Sequence, residues 1–258
     1  MKKLAMVASL VFAAMLVMPL QAQNLDGVRL FQSYFFDAPI ASAGYGQGGL
    51  TYSTYDAFSQ FSVGVMGGYP INPQIELGTQ IHYLSLSPDK GDGQSGITDL
   101  DVFGRYNLYN VKQTNISAGA MVSLPIGSKD IGQGKLDFGA FGAIRHSLNS
   151  NVTLVGTIGL MFYEKTDYEF NPNTFQLDEK TSYDNYLNIG AGAVYQLNPQ
   201  LNLVGELNIK SEGDFMMLSG GVDYALGSGS LRGGLGIGLD NGAPDLMLMG
   251  GYQMSLSK

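Results

Sequence analysis

The side chains that could do acid–base or nucleophilic chemistry are few in this chain of 258 residues, which has two histidines, His82 and His146, and no cysteine. A hydrolase needs a histidine beside a serine or paired carboxylates, and the sequence brings neither histidine to such a partner. The lack of cysteine excludes a thiolate metal site, and neither a metal-ligand spacing nor a glycine-rich phosphate loop occurs. We therefore expect no enzyme and no cofactor, with a membrane-embedded hydrolase as the least favoured alternative.

The charged side chains become informative once the elements that carry them are identified. After about Gly44, apolar residues alternate with small or polar ones, and this period of two indicates strands with one apolar and one polar face. About twelve segments of roughly 10–14 residues follow the pattern, which is the length that a tilted strand needs to cross a bilayer. The predicted spans are 44–55, 60–69, 75–86, 96–109, 115–125, 135–147, 152–164, 185–197, 201–211, 214–225, 230–240 and 245–257.

The connections between these segments also alternate. One set is short and contains no Asp or Glu: residues 71–74, 111–114, 148–151, 198–200 and 227–229. The other set is mostly longer and acidic, and lies around Asp56, at 89–92, around Asp130, at 164–184, at 212–214 and around Asp240. Short turns at one end and long loops at the other are typical of outer-membrane barrels, and only a closed barrel satisfies every backbone group of a sheet in lipid. We predict an all-β fold: a closed antiparallel up-and-down transmembrane β-barrel of about 12 strands, with short periplasmic turns and longer acidic external loops.

Glycine and tyrosine fit the same barrel. Gly190, Gly192 and Gly234 sit inside alternating segments on one face, where they relieve crowding on the inner wall. Tyrosines fall mostly near strand ends on the apolar face, which suits an interfacial aromatic girdle. These are Tyr52, Tyr69, Tyr83, Tyr106, Tyr195, Tyr224 and Tyr252.

Nine side chains are candidates to line the lumen, since alternation puts them on the polar face. Arg105, Arg145 and Arg232 fall near the periplasmic end, whereas Asp99, Asp101 and Asp137 fall near the external end together with Lys135; Glu206 and His82 complete the set. Charges in a lumen are costly unless they are paired or wetted. Two interpretations stay open: a network of ion pairs that closes the lumen, or a charge-graded path for a solute. A barrel of this size lies between those filled by side chains and those that leave a channel.

The N-terminus predicts export. Lys2 and Lys3 precede an apolar run from residue 4 to residue 20, and Ala22 offers a small residue for cleavage. We assign residues 1–22 to a cleaved signal peptide and residues 44–258 to the barrel. Residues 23–43 between them are a possible plug, a short helix or an extra strand.

Several motifs resemble one family in their order along the chain. The resemblance is to the MetA-pathway of phenol degradation family of outer-membrane transporters, and it covers roughly residues 44–258. Its carriers are residues 96–100 (GITDL), 123–127 (SLPIG), 136–139 (LDFG), 188–192 (NIGAG), 195–199 (YQLNP), 204–207 (VGEL) and 243–245 (APD). It implies an outer-membrane β-barrel that moves small hydrophobic or aromatic molecules.

We therefore expect a passive channel or transporter in the outer membrane of a Gram-negative bacterium, with a small hydrophobic or aromatic solute. The alternative is a closed-lumen structural or surface-interaction barrel without transport. The expected partners are the lipid bilayer, lipopolysaccharide and, during biogenesis, the barrel-insertion machinery. A net charge of −8 argues against nucleic acid as a partner.

Overall fold

The computed structural model describes residues 27–132, 134–171 and 175–256. The predicted signal peptide and residues 23–26 lie outside these ranges. Thirteen strands make up most of the described chain: β1 Tyr45–Tyr55, β2 Phe58–Asn72, β3 Ile75–Pro88, β4 Gln94–Ile97, β5 Leu100–Val111, β6 Thr114–Leu124, β7 Asp137–Ser147, β8 Val152–Asn171, β9 Gln176–Asn198, β10 Leu201–Lys210, β11 Phe215–Leu226, β12 Gly229–Gly238 and β13 Leu246–Ser255. Within this part of the chain, no helix has the length and apolar character to span a membrane.

The strands form one closed antiparallel barrel, as the alternation predicts. Sequence neighbours pair with each other, and β1 pairs with β13 from Tyr45↔Ser255 to Thr54↔Leu246, which closes the sheet. Both β4 and β5 pair with β3 and share one position of the wall, so the 13 strands form a barrel of 12 positions. Closure removes the free edges of the central wall, whereas β4 and the outer parts of β8 and β9 pair on one side only.

The short turns at one end are built from local asparagine contacts. Asn72 Oδ1 accepts hydrogen bonds from the backbone N–H groups of Gln74 and Ile75, at 2.8 and 2.9 Å. Asn149 and Asn198 cap the β7–β8 and β9–β10 turns in the same way. These side chains substitute for a backbone turn, so the sequence specifies the tight reversals locally. We call this the short-turn end of the barrel and the opposite one the long-loop end.

The prediction for residues 164–184 was wrong. This stretch was expected to be an acidic loop, but β8 and β9 continue through it and pair as far as Asn171↔Gln176. The period-two pattern stops because strands that extend past the apolar belt have water on both sides, and neither face then needs apolar residues. The backbone ladder needs no such pattern and therefore continues.

The outer surface carries a broad belt of exposed apolar side chains. Val65, Leu108 and Ile158 are 55–61% exposed, and many other residues of the same outward faces are 38–57% exposed. Tyr52, Tyr69, Tyr83, Tyr106 and Tyr195 belong to this surface, at 43–57% exposure. An apolar belt around the whole wall is far larger than the patches that water-soluble monomers tolerate, and its chemistry matches the lipid-facing band of membrane barrels.

Candidate functional site

A non-regular segment occupies the inside of the barrel at the short-turn end. From residue 28 to residue 43 it contains no helix and no strand, and we call these residues the plug. Val28, Leu30, Asp37 and Ala38 are fully buried although the segment belongs to no sheet. The core of the protein is therefore the contact between the plug and the inner wall.

Apolar packing holds the plug in two places. Val28 and Leu30 form a buried cluster with Val155, Val194 and Val204 of three neighbouring strands. A second cluster joins plug aromatics to the opposite wall, and there the Phe35 ring stacks on Phe103 with 4.5 Å between centroids. Burying side chains of this kind contributes roughly 1.5–3 kcal/mol each.

Inward-facing glycines give the plug its space. A Cβ added to Gly192 would lie 2.8 Å from the Leu30 side chain, and one added to Gly190 would lie 2.8 Å from Ser33 Oγ. A Cβ on Gly234 would come within 3.3 Å of the Phe31 ring. The glycines that stand out in the sequence are thus the positions where the wall accommodates the plug.

The three predicted lumen arginines bind the backbone of the plug. Arg105 Nη1 donates to the carbonyls of Phe35 and Asp37, at 3.3 and 3.0 Å. Arg145 Nη2 donates to Val28 O at 2.5 Å, and Arg232 Nη2 donates to Arg29 O and Leu30 O. The wall thereby satisfies carbonyl groups that no sheet ladder reaches.

Glu206 completes this binding with the opposite polarity. Its Oε2 accepts the backbone N–H groups of Phe31 and Gln32, at 3.0 and 2.8 Å, and its Oε1 accepts that of Ser33 at 2.8 Å. Ser33 Oγ also donates to Asn208 Oδ1 at 2.9 Å. Hydrogen bonds to a buried carboxylate are stronger than neutral ones, so Glu206 is the principal anchor of this part of the plug.

Four further charges around the plug were not among the sequence candidates. Arg29 and Asp37 belong to the plug, while Glu76 and Asp223 project from the wall, and all four are buried. Arg29 Nη1 lies 3.5 Å from Asp37 Oδ2, and Glu76 pairs with both Arg29 and the wall Arg105. Glu76 also accepts hydrogen bonds from the Ala41 N–H and the Tyr45 hydroxyl.

The plug arginine remains charged in this setting. Burial alone would lower the pKa of Arg29, but Tyr45, Asp37 and Glu76 raise it above its ordinary value. Burial likewise raises the pKa of the Tyr34 phenol to about 12, so this hydroxyl stays protonated and donates to Gln253 Oε1. Ionisation of these two plug groups is therefore fixed at physiological pH.

A sequence signal existed for two of the four missed charges. Glu76 lies on the polar face of an alternating segment. Asp223 lies directly across the β11–β12 ladder from Arg232, with 3.1 Å between their charged atoms. Arg29 and Asp37 had no such signal, because the plug has no periodicity. Arg145 pairs with Asp37 at 3.1 Å, a contact between residues far apart in sequence.

The predicted acids lie in the other half of the lumen. Asp99 Oδ1 accepts the Gly127 N–H, Asp101 Oδ2 accepts the Gln80 amide, and Asp137 Oδ1 accepts the Glu164 N–H, at 2.8–3.0 Å. Lys135 Nζ donates to Thr166 Oγ1 at 2.6 Å. The arginines are instead near Glu76, Asp37 and Asp223, so the nine candidates form two groups, one around the plug and one towards the long loops.

His82 lies on the inner wall beside a hydroxyl. Its Nδ1 is 3.3 Å from Ser62 Oγ, and both side chains face the lumen. Among the described residues no carboxylate forms a hydrogen bond with the second ring nitrogen, and the Asp101 carboxylate accepts from the Gln80 amide. A histidine and a serine without an orienting acid lack the third element of a hydrolase triad.

Three adjoining cavities lie above the plug. The outermost, of about 600 Å³, is lined by Asp99, Asp101, Asp137 and Glu212 with Tyr163 and Tyr186; we call it the vestibule. It shares Met121 and Met161 with a deeper cavity of about 320 Å³, and His82 with a third of about 370 Å³ that reaches Met247 and Met249. Methionine side chains adapt to irregular apolar ligands, and aromatic rings pack against them.

The comparisons with known proteins agree with this architecture. No family model and no curated protein matches the chain. Among solved structures, the COG4313 outer membrane channel from Pseudomonas putida F1 is similar with a TM-score of 0.67 at 15% identity, over 86% of this chain and 98% of that one. The KdgM porin is similar with a TM-score of 0.55 at 10% identity, over 82% and 99%. The β-domain of the Bordetella autotransporter BrkA is similar with a TM-score of 0.53 at 15% identity, over 85% and 100%.

These similarities define the class of fold. At such identities they show a shared closed barrel of the outer-membrane type and do not extend to substrates. The MetA-pathway resemblance, which none of the comparisons names, stays a prediction.

Proposed function

We propose that this protein is an outer-membrane channel for small hydrophobic or aromatic solutes, with the short turns on the periplasmic side. The observation that carries the proposal is the set of adjoining cavities, whose linings combine methionine and aromatic side chains with polar ones and of which the outermost reaches Glu212 at the long-loop end. A structural anchor needs no such space inside its wall. The similar solved structures that are described as an outer membrane channel and a porin support the same function.

Passage to the periplasm requires the plug to move. The wall is a complete hydrogen-bonded cylinder without it, because each strand pairs with wall strands only. Side chains supply the hydrogen bonds described above between plug and wall, chiefly Glu206 and the three arginines. Breaking them leaves the barrel intact, so the plug is the gate of the proposed channel.

A reversible cross-link tests this function. Ser33 and Asn208 touch through their side chains, and the chain has no native cysteine. Cysteines at both positions (Ser33→Cys with Asn208→Cys) give one disulfide that fixes the plug to β10. We expect cells that carry only this variant to take up radiolabelled benzyl alcohol after reduction but not when oxidised. The single variant Ser33→Cys should be insensitive to the redox state.

A closed-lumen structural barrel is the second candidate, and the buried ion pairs around the plug favour it. Breaking such pairs is costly, so they hold the plug in place. For this candidate, uptake and planar-bilayer conductance should be equally low in the oxidised variant, the reduced variant and the wild type. That result would contradict the channel proposal.

A further inference from the structure

The deeper cavity above the plug contains an ammonium group without an ionic partner. Lys210 ends β10 and lines this cavity of about 320 Å³, which lies within the size range of ordinary ligand sites. Within residues 27–132, 134–171 and 175–256, no carboxylate lies within 4 Å of its Nζ, and Nζ donates no hydrogen bond. Its neighbours are two rings: Nζ lies 4.6 Å from the centroid of Phe215 and 5.7 Å from that of Tyr186.

A second unpartnered donor lies on the same face of β10. Asn208 is two residues from Lys210, so their Cα atoms are about 7 Å apart. Asn208 lines the same cavity and is 5% exposed. Its Oδ1 accepts from Ser33 of the plug, which fixes the amide, while its Nδ2 has no hydrogen-bond partner among the described residues. A buried donor without a partner costs about 1–3 kcal/mol, and a ligand that accepts from it removes that cost.

The cavity also has an aromatic and methionine side to its lining, beside the polar side chains of Gln32, Gln80, Asp101 and Asn188. Phe36 of the plug and Phe103 of β5 line it together with Tyr186 and Phe215, and Met121 and Met161 complete the wall. A flat ring can stack on such side chains at little conformational cost. The Lys210 ammonium and the Asn208 amide N–H are both donors, so the part of a ligand that contacts these two groups must accept hydrogen bonds.

We infer that this cavity binds a small aromatic carboxylate, with its carboxylate on Lys210 and Asn208 and its ring among the aromatic and methionine side chains. The inference rests on the proposed channel function and names the solute class. A carboxylate provides acceptors for both donors and neutralises the ammonium, whereas a neutral aromatic alcohol leaves the charge without a partner. The plug contributes Phe36 and the Ser33 hydroxyl that orients Asn208, so the docked plug completes the site.

Acidic side chains near the site should slow the entry of an anion. Asp101 lines the same cavity but accepts from Gln80, and Asp99, Asp137 and Glu212 line the vestibule above it. They repel an approaching anion over a distance that salt shortens to about 8 Å at physiological ionic strength. We therefore expect benzoate to associate faster as salt rises, and benzyl alcohol to associate at an unchanged rate.

Equilibrium dialysis of the full mature chain in detergent micelles tests the site, with radiolabelled benzoate as the probe and benzyl alcohol as the neutral match. We expect the wild type to prefer benzoate, and Lys210→Met to weaken benzoate binding by about tenfold or more, a loss of about 1.4 kcal/mol, with benzyl alcohol unchanged. Lys210→Arg should restore binding. Lys135→Met is the matched control: it removes a cation that lies outside the cavity.

Asn208→Asp is a second, independent variant. Aspartate keeps the oxygen that accepts from Ser33, but a second carboxylate oxygen takes the place of the free Nδ2 donor. The resulting carboxylate pairs with Lys210. Benzoate binding should be lost while the plug stays docked. Equal binding of benzoate and benzyl alcohol, or no effect of either variant on benzoate, would overturn the inference. Heat-modifiable gel mobility shows whether each variant has folded.

The two proposals fail in different ways. Dialysis measures binding without flux, and the disulfide experiment measures uptake of benzyl alcohol without benzoate. Binding without uptake would overturn the channel and leave a carboxylate site. Uptake without a preference for benzoate would leave the channel and overturn the carboxylate site.

Discussion

Replacing Glu206 by glutamine should release the plug from the wall. The carboxylate accepts three backbone N–H groups of the plug, from Phe31, Gln32 and Ser33, and Glu206 is 2% exposed. Glutamine keeps one acceptor oxygen and has an NH2 group in place of the other. This NH2 group is a donor and faces backbone N–H groups, which are also donors. At least one charged hydrogen bond is lost, and those that remain become neutral.

The magnitude follows from the strength of such bonds. A hydrogen bond to a charged group contributes about 1.5–3 kcal/mol, so Glu206→Gln should destabilise the docked plug by about 3 kcal/mol. At 1.4 kcal/mol per factor of ten, the undocked population rises by about 100-fold. The apolar clusters around Leu30 and Phe35 are unchanged, so the docked state should still dominate.

Cysteine labelling measures this population directly. Ser33→Cys introduces the sole cysteine of the chain at a position that is 2% exposed in the docked plug. When opening and closing are fast, the rate of maleimide labelling follows the undocked fraction. In this background Glu206→Gln should speed labelling by about 100-fold, whereas Glu212→Gln should not, since Glu212 lines the vestibule and accepts from Tyr163. Equal labelling rates in the two variants would refute the assignment of Glu206 as the anchor.

Three other substitutions probe the plug, the wall and the belt. Gly190→Val puts a side chain against Ser33 Oγ and should expose the plug to protease. The control Gly205→Val has no atom within 4 Å of the new Cβ and should leave the plug protected. Protection of the plug in both variants would contradict the close fit. Glu76→Gln removes the carboxylate that pairs with two buried arginines and should lower the free energy of unfolding by about 3 kcal/mol. The heat-modified form should then appear on gels at a lower temperature. An unchanged transition temperature would disprove this role. Val65→Arg places a charge on the outer belt and should cost about 2–4 kcal/mol in urea unfolding from phospholipid vesicles, and no loss would mean that Val65 does not face lipid.

Strand positions and short turns were predictable because their causes are local. A strand with lipid on one side and a lumen on the other must alternate apolar and polar residues, so the pattern around Ile75 or Leu100 predicts a strand. The turns at Asn72 and Asn198 depend on contacts within three residues. Where lipid no longer faces the wall, as beyond Glu164, the alternation ceases and the prediction failed, although the backbone pairing continues.

The candidate site could be predicted only in part. Alternation assigned Arg105, Arg145, Arg232 and Glu206 to the inner face, but it gave no partner for any of them. Two interpretations were left open, a network of ion pairs or a charge-graded path, because both require the same inward-facing charges. The structure contains an ion-pair network around the plug that includes Asp37 and Arg29, whereas Asp99 and Asp101 line the vestibule.

By itself, the sequence determined that this chain is a closed barrel with one short-turn end and inward-facing charges, since period and connection length are properties of neighbouring residues. Only the tertiary structure decided that residues 28–43 lie inside the barrel at the short-turn end. Their contacts join residues such as Ser33 and Glu206, which are 173 positions apart. That Lys210 of β10 and Phe103 of β5 line one cavity also depends on which strands face each other across the barrel. No local pattern encodes that juxtaposition, because closure of the sheet creates it.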